Sequence, residues 1–274
     1  MEFALSTYLF ADQRLSTHIL DQVVGAGIRQ FEIFAARQHL DYHESNQVRD
    51  VAQWFNDHGI KLHSVHAPLF ADFDWGRSGG QPVSVTHLDR GRRIDSMDEI
   101  KRAIEMAERF PFRYLVLHLG LPDEEYDLRR FDAAFTSLEH LKIFAKERGV
   151  QILLENIPNE LSTPERLLSF IHYTRMEDLK VCLDVGHAHM TGGVAPAFAA
   201  LKERIVSTHI HDNRLEKDDH LMPYDGDINW EQTVRDFRGL EGQFPILFEV
   251  RNFGTEVSTL ARLREVMEKM EAIR

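Results

Sequence analysis

The chain has 274 residues, 43% of them hydrophobic, which is ample for a large core and far from the composition of a disordered chain. Lys+Arg 32 against Asp+Glu 44 gives a net charge of −12, which disfavours non-specific binding to nucleic acid. No apolar run is long enough for a membrane span, MEFALSTYLFADQRLS lacks the features of a signal peptide, and a single cysteine, Cys182, excludes an intramolecular disulfide. These features predict a cytoplasmic protein.

In chain order, apolar β-rich segments are expected at 3–10 (FALSTYLF), 28–34 (IRQFEIF), 60–67 (IKLHSVHA) and 113–120 (RYLVLHLG). They continue at 150–156 (VQILLEN), 179–185 (LKVCLDV), 204–212 (RIVSTHIHD) and 244–250 (FPILFEV). Helical patterns lie between them, at 95–110, at 131–149 with Gly149 as C-cap, and at 162–174 with Ser162 and Thr163 before Pro164. Eight strands alternating with helices, with no linker between them, predict an α/β fold: one (β/α)₈ TIM barrel over residues 1–274. An open doubly wound sheet is the structural alternative, but the Gly-rich first turn it would use is absent. The longest irregular stretch, 68–94, follows the third strand and is expected to cover the site as a lid.

Active sites of such barrels form where the strands end at their C-termini. The third strand ends at His66, the fourth at His118, the fifth at Glu155, and the sixth at Asp184 with His187 just beyond. The seventh carries His209 and His211, and the eighth ends at Glu249. Each residue read singly has an ordinary role as well: a hydrogen-bonded loop histidine, an Asp184 that caps the next helix, or a Glu249 paired with Arg251. Three carboxylates converging on one axis, however, would repel one another and raise each other's pKa. A divalent cation relieves both that repulsion and the cost of burying charge, so the coincidence across six strands points to a metal site. By strand parity Val181 and Leu183 face the helices while Cys182 and Asp184 face the barrel axis, and His63, opposite in parity to His66, faces the helices. His18, His39, His43, His58, His87, His140 and His172 are expected to be solvated, and His189 has no assigned role.

The motifs SVHAP, LVLHLG, LLEN, CLDVGHA, HIHDN, DDHLMPYDGDINW and FEV, spread over roughly residues 60–250, together resemble the xylose isomerase-like TIM-barrel superfamily. That group contains sugar and sugar-phosphate isomerases and epimerases and the endonuclease IV family. The epimerase resemblance implies one divalent ion (Mn²⁺, Mg²⁺, Co²⁺ or Zn²⁺) held by Glu155, Asp184, His209 and Glu249. It further implies that Glu155 and Glu249 lie on opposite faces of a sugar, one removing a proton next to the carbonyl and the other returning it through an enediolate. His66, His118, His187, His211 and Arg251 are then substrate-binding, and the partner is a small carbohydrate.

The endonuclease IV resemblance implies up to three zinc ions, with His66, His118 and Glu155 at the first and Asp184, His209 and Glu249 completing the second. His187, Asp218 and His220 would hold the third. Against this zinc phosphodiesterase stand HLG rather than HPG after the fourth strand, Leu69 in place of a tyrosine after Pro68, and the absence of a dense basic cluster near the rim. Tyr224 replaces the glycine usual after DDHLMP and is expected to narrow the pocket. A barrel serving only as a binding module is a third alternative, and the oligomeric state is left open.

Overall fold

The β-branched and aromatic runs condense into eight parallel strands, seen here in a computed structural model that describes residues 1–240, 242 and 244–274. They are β1 (Phe3–Ser6), β2 (Phe31–Phe34), β3 (Leu62–His66), β4 (Phe112–His118), β5 (Gln151–Glu155), β6 (Lys180–Asp184), β7 (Ile205–His209) and β8 (Ile246–Phe248). From β1 to β7 neighbours in sequence pair, and β1 also pairs with β8. The ring closes between β7 and β8 by the bridge Ile210↔Phe248, with Ile210 N–H donating to Leu247 O at 2.8 Å. The expected (β/α)₈ barrel is therefore the fold observed.

The helices are α1 (Thr17–Gly25), α2 (Ser45–His58), α3 (Arg90–Glu105), α4 (Leu128–Lys146), α5 (Pro164–Thr174), α6 (Val185–Thr191), α7 (Val194–Leu201), α8 (Trp230–Arg238) and α9 (Glu256–Ala272). Side-chain caps fix several starts. Thr163 Oγ1 accepts from Arg166 N ahead of Pro164, as expected, and Asp89 caps α3, which begins five residues before the predicted start. The main core lies between the sheet and the helices. A smaller plug of Tyr114, Val116, Leu153 and Cys182 fills the inside of the barrel, while Val181 and Leu183 join the outer core. The parity expected for β6 therefore holds.

Three expectations are corrected. β1 stops at Ser6 because the Ser6 hydroxyl accepts from Tyr8 N and starts a 3₁₀ turn over Thr7–Phe10, which swings Tyr8 toward the barrel mouth. His63 does not face the helices. The register slips where Phe31 pairs with Leu62 but Glu32 with Ser64, and the extra residue, His63, turns inward to Ser207 Oγ at 3.1 Å. His39 is not solvated: it is fully buried, donates Nδ1–H to Gln13 O at 2.7 Å, and burial lowers its pKa to about 4. His43 is exposed, as expected, and faces Glu99 at 2.8 Å.

Candidate metal centre

Strand alternation builds the site one residue at a time. On β4 to β8 the inward positions step from Val116, Leu153, Cys182, Ser207 and Leu247 to His118, Glu155, Asp184, His209 and Glu249 two residues on. Glu155, Asp184, His209 and His211 are fully buried, and His66, His187, His220 and Glu249 nearly so. Asp184 does two jobs: its Oδ1 caps α6 by accepting from His187 N at 2.6 Å, and its Oδ2 faces His211 Nε2 at 3.2 Å. Gly186 is required next to it because a Cβ there would overlap the His211 ring.

The predicted rim residues fall into three touching clusters. Glu155, Asp184, His209 and Glu249 form one, His66, His118 and Glu155 a second, and His187, His211, Asp218 and His220 a third. In the first, His209 Nδ1 lies 3.2 Å from Glu155, 3.6 Å from Glu249 and 3.9 Å from Asp184. In the second, Glu155 Oε2 is 3.2 Å from His118 Nε2 and 3.4 Å from His66 Nε2. In the third, Asp218 Oδ2 lies 3.1 Å from both His187 Nε2 and His220 Nε2. His211, a substrate-binding candidate in the sequence, lies within this third cluster, stacked on His220.

The histidines are pre-set as donors. Carbonyl oxygens only accept, so His66 Nδ1–H donates to Ala67 O at 2.8 Å, His187 Nδ1–H to Asn156 O at 3.0 Å, and His220 Nδ1–H to Glu249 O at 2.7 Å. In each ring the other nitrogen is left aimed into a cluster. Among the described residues, the buried atoms Glu155 Oε2, Glu249 Oε1, Asp218 Oδ1, His118 Nε2 and His211 Nδ1 lie near charged groups yet make no hydrogen bond of proper geometry. Orphaned oxygens and imidazole nitrogens facing one another fit an oxygen- and nitrogen-loving divalent ion.

Without an ion, protons take its place. Burial opposes charge on His187 and His209, but the surrounding carboxylates outweigh it and hold both well above the ordinary imidazole value. Burial likewise opposes ionisation of Glu155, yet the facing imidazoles keep its pKa well below the usual carboxylate range. Asp218 is lowered in the same way by His220 and His187. Glu249 is the exception: burial pushes it up to about 7 despite His209, His220 and His66. His118 is lowered, chiefly by burial.

Above the clusters lies a cavity of about 270 Å³. His66, His118, Glu155, His187, Asp218, His220 and Glu249 line it, with apolar walls from Tyr8, Phe34, Leu69, Trp75, Pro122, Ile157 and Pro158. Arg251 stands at its exposed edge and reaches the Tyr8 hydroxyl at 3.3 Å rather than Glu249. The irregular stretch after β3 supplies Trp75, in a left-handed conformation at φ 55° and edge-on to Phe34 and Tyr8. Tyr224 does not narrow this cavity; its ring packs against Trp230 and under Lys269. Sequence reasoning missed Tyr8, Phe34, Trp75 and Glu32, all lying before or between the quoted motifs. The acid in QFEIF, isolated in an apolar strand, was the one available signal for Glu32.

Comparisons with known proteins agree with this architecture. The sequence matches the family model described as "Xylose isomerase-like TIM barrel" over residues 20–273. An uncharacterized protein of Methanocaldococcus jannaschii, MJ1311, is 26% identical over 278 residues, covering 98% of this chain and 90% of its own. A D-tagatose 3-epimerase-like protein superposes with a TM-score of 0.80 at 21% identity, covering 100% of this chain and 98% of that one. The IolI protein, solved with a bound zinc atom, gives a TM-score of 0.76 at 18% identity over 99% and 96% of the two chains.

Proposed function

Because the chain belongs to the xylose isomerase-like TIM barrel family, we propose that it is a divalent-metal-dependent isomerase or epimerase of a small carbohydrate. The observation that carries this reading is the buried set Glu155, Asp184, His209 and Glu249, whose donor atoms all lie within 4.8 Å of one another beneath an apolar-walled cavity that opens to the surface. Those four residues would hold the ion, which would supply Lewis-acid polarisation of the substrate oxygens. Glu155 and Glu249 stand three strands apart around the ring, which supports a reading in which they act on opposite sides of the substrate. One takes the proton next to the carbonyl and the other returns it; general acid–base catalysis of this kind contributes about 10²–10⁴-fold. The flat walls of Tyr8, Phe34 and Trp75 pack on the C–H face of the sugar and exclude water, while His187 and Arg251 orient its hydroxyls. Support comes from the epimerase-like and zinc-bearing structural neighbours. The test is turnover of a panel of ketoses and keto-polyols by metal-loaded protein, followed by deuterium exchange at the carbon next to the carbonyl. Absence of both exchange and turnover across the panel sinks the proposal.

A second reading is favoured by one specific observation: three clusters, two of them sharing Glu155, contain every residue that the zinc phosphodiesterase resemblance implies, with His211 in addition. The cavity size and the enclosing Trp75 argue for a small substrate instead. Metal content separates the two, with one exchangeable ion per chain expected for the epimerase and about three zinc for the phosphodiesterase.

A further inference from the structure

Glu32 is a carboxylate in the wrong place for an ordinary strand. It lies on β2, outside the three clusters that could hold an ion among the described residues, yet it is completely buried inside the barrel. Its Oε1 lies 3.1 Å from His209 Nε2, its Oε2 lies 3.2 Å from the same nitrogen, and Ser64 donates its hydroxyl to Oε2 at 2.8 Å. The opposite ring nitrogen, His209 Nδ1, is the one that faces Glu155, Glu249 and Asp184.

The backbone is bent to make this contact. The register slip between β2 and β3 sets Ser64, not His63, opposite Glu32, so hydroxyl and carboxylate meet inside the barrel. Bulges beside sites of this kind re-aim side chains. A half-turn of the His209 ring would put carbons where both nitrogens now stand, breaking the Glu32 contact and withdrawing Nδ1 from the cluster. The His66 ring lies roughly parallel to it, 5.8 Å between centroids.

Building on the metal reading above, we infer that Glu32 is a positioning residue, which accepts Nε2–H of His209 and thereby fixes Nδ1 as the atom offered to the ion. Ser64 in turn holds the Glu32 carboxylate. Such partners of ligating histidines are worth about 10–100-fold in metal affinity.

The experiment uses the full chain, stripped of metal and titrated with Zn²⁺ against a competing chelator and with Co²⁺ by visible absorption. Glu32→Gln is expected to bind Zn²⁺ about 10–100-fold more weakly, with a shifted Co²⁺ band. Ser64→Ala is expected to weaken binding less and in the same direction, and it carries the test alone if Glu32→Gln does not fold. Zn²⁺ affinity and Co²⁺ band both unchanged in the folded variants would overturn the inference and leave the metal reading standing. A wild-type chain that takes up neither ion would overturn both.

Discussion

Two layers inside one barrel, about 6.6 Å apart along the strands, have opposite characters. The lower layer is Tyr114, Val116, Leu153 and Cys182, with His63 on Ser207; burial lowers the His63 pKa to about 4 and raises the Cys182 thiol to about 12. The upper layer is His118, Glu155, Asp184, His209 and Glu249, where an even more deeply buried imidazole, His209, is held well above its ordinary value by carboxylates. Burial alone neutralises a group, whereas burial among opposite charges keeps it ionised. The lower layer therefore carries stability, and the upper layer is an assembly of charges that an ion would complete.

The largest expected effect tests the upper layer directly. Glu155→Gln and Glu249→Gln should each cost about 10²–10⁴-fold in turnover with an unchanged circular dichroism spectrum. Near-normal turnover in either would break the acid–base assignment.

Next is removal of the ion. At an ion concentration of about 100 times Kd, binding stabilises the fold by roughly 2.7 kcal/mol, so chelation should lower Tm by roughly 5–10 °C. The pH dependence of the stripped protein sharpens this. His187 and His209 have raised folded-state pKa values, so their contribution is complete below the unfolded value of about 6.5 and fades as pH rises through the folded values. Glu155 and Asp218 are lowered, so theirs is complete above about 4 and fades on further acidification. Stripped protein should thus lose Tm toward alkaline pH and regain it with added ion. A Tm indifferent to both would contradict the account.

The lower layer predicts the converse. Leu153→Ala should cost about 2–5 kcal/mol in denaturant unfolding while the folded variant keeps its metal affinity. Lost affinity with intact stability would merge the two layers. Smaller again is Gly186→Ala: helix propensity alone favours alanine by roughly 0.5–1 kcal/mol, but overlap with the His211 ring predicts a net loss of about 1–3 kcal/mol. A net gain would mean that His211 is free to move.

The upper layer was largely legible because strand parity and the quoted motifs act together: one correct register places Glu155, Asp184, His209 and Glu249 on one rim. What escaped depended on interactions no local pattern encodes. His63 was assigned to the wrong face because a single extra residue in β3 reverses parity, and His39 because its partner, Gln13 O, lies across the fold. Glu32 sits among phenylalanines in a strand with no motif, and its meaning appears only once His209, 177 positions away, closes on it. Tyr8 and Trp75 reach the cavity through a 3₁₀ turn and a left-handed backbone, neither of which composition reveals.

The most direct test of the central claim is an anomalous-difference map from crystals of the chain loaded with Mn²⁺ or Zn²⁺. The account predicts a strong peak in contact with Glu155, Asp184, His209 and Glu249. Well-ordered side chains at those four positions with no peak among them, under saturating ion, would contradict it.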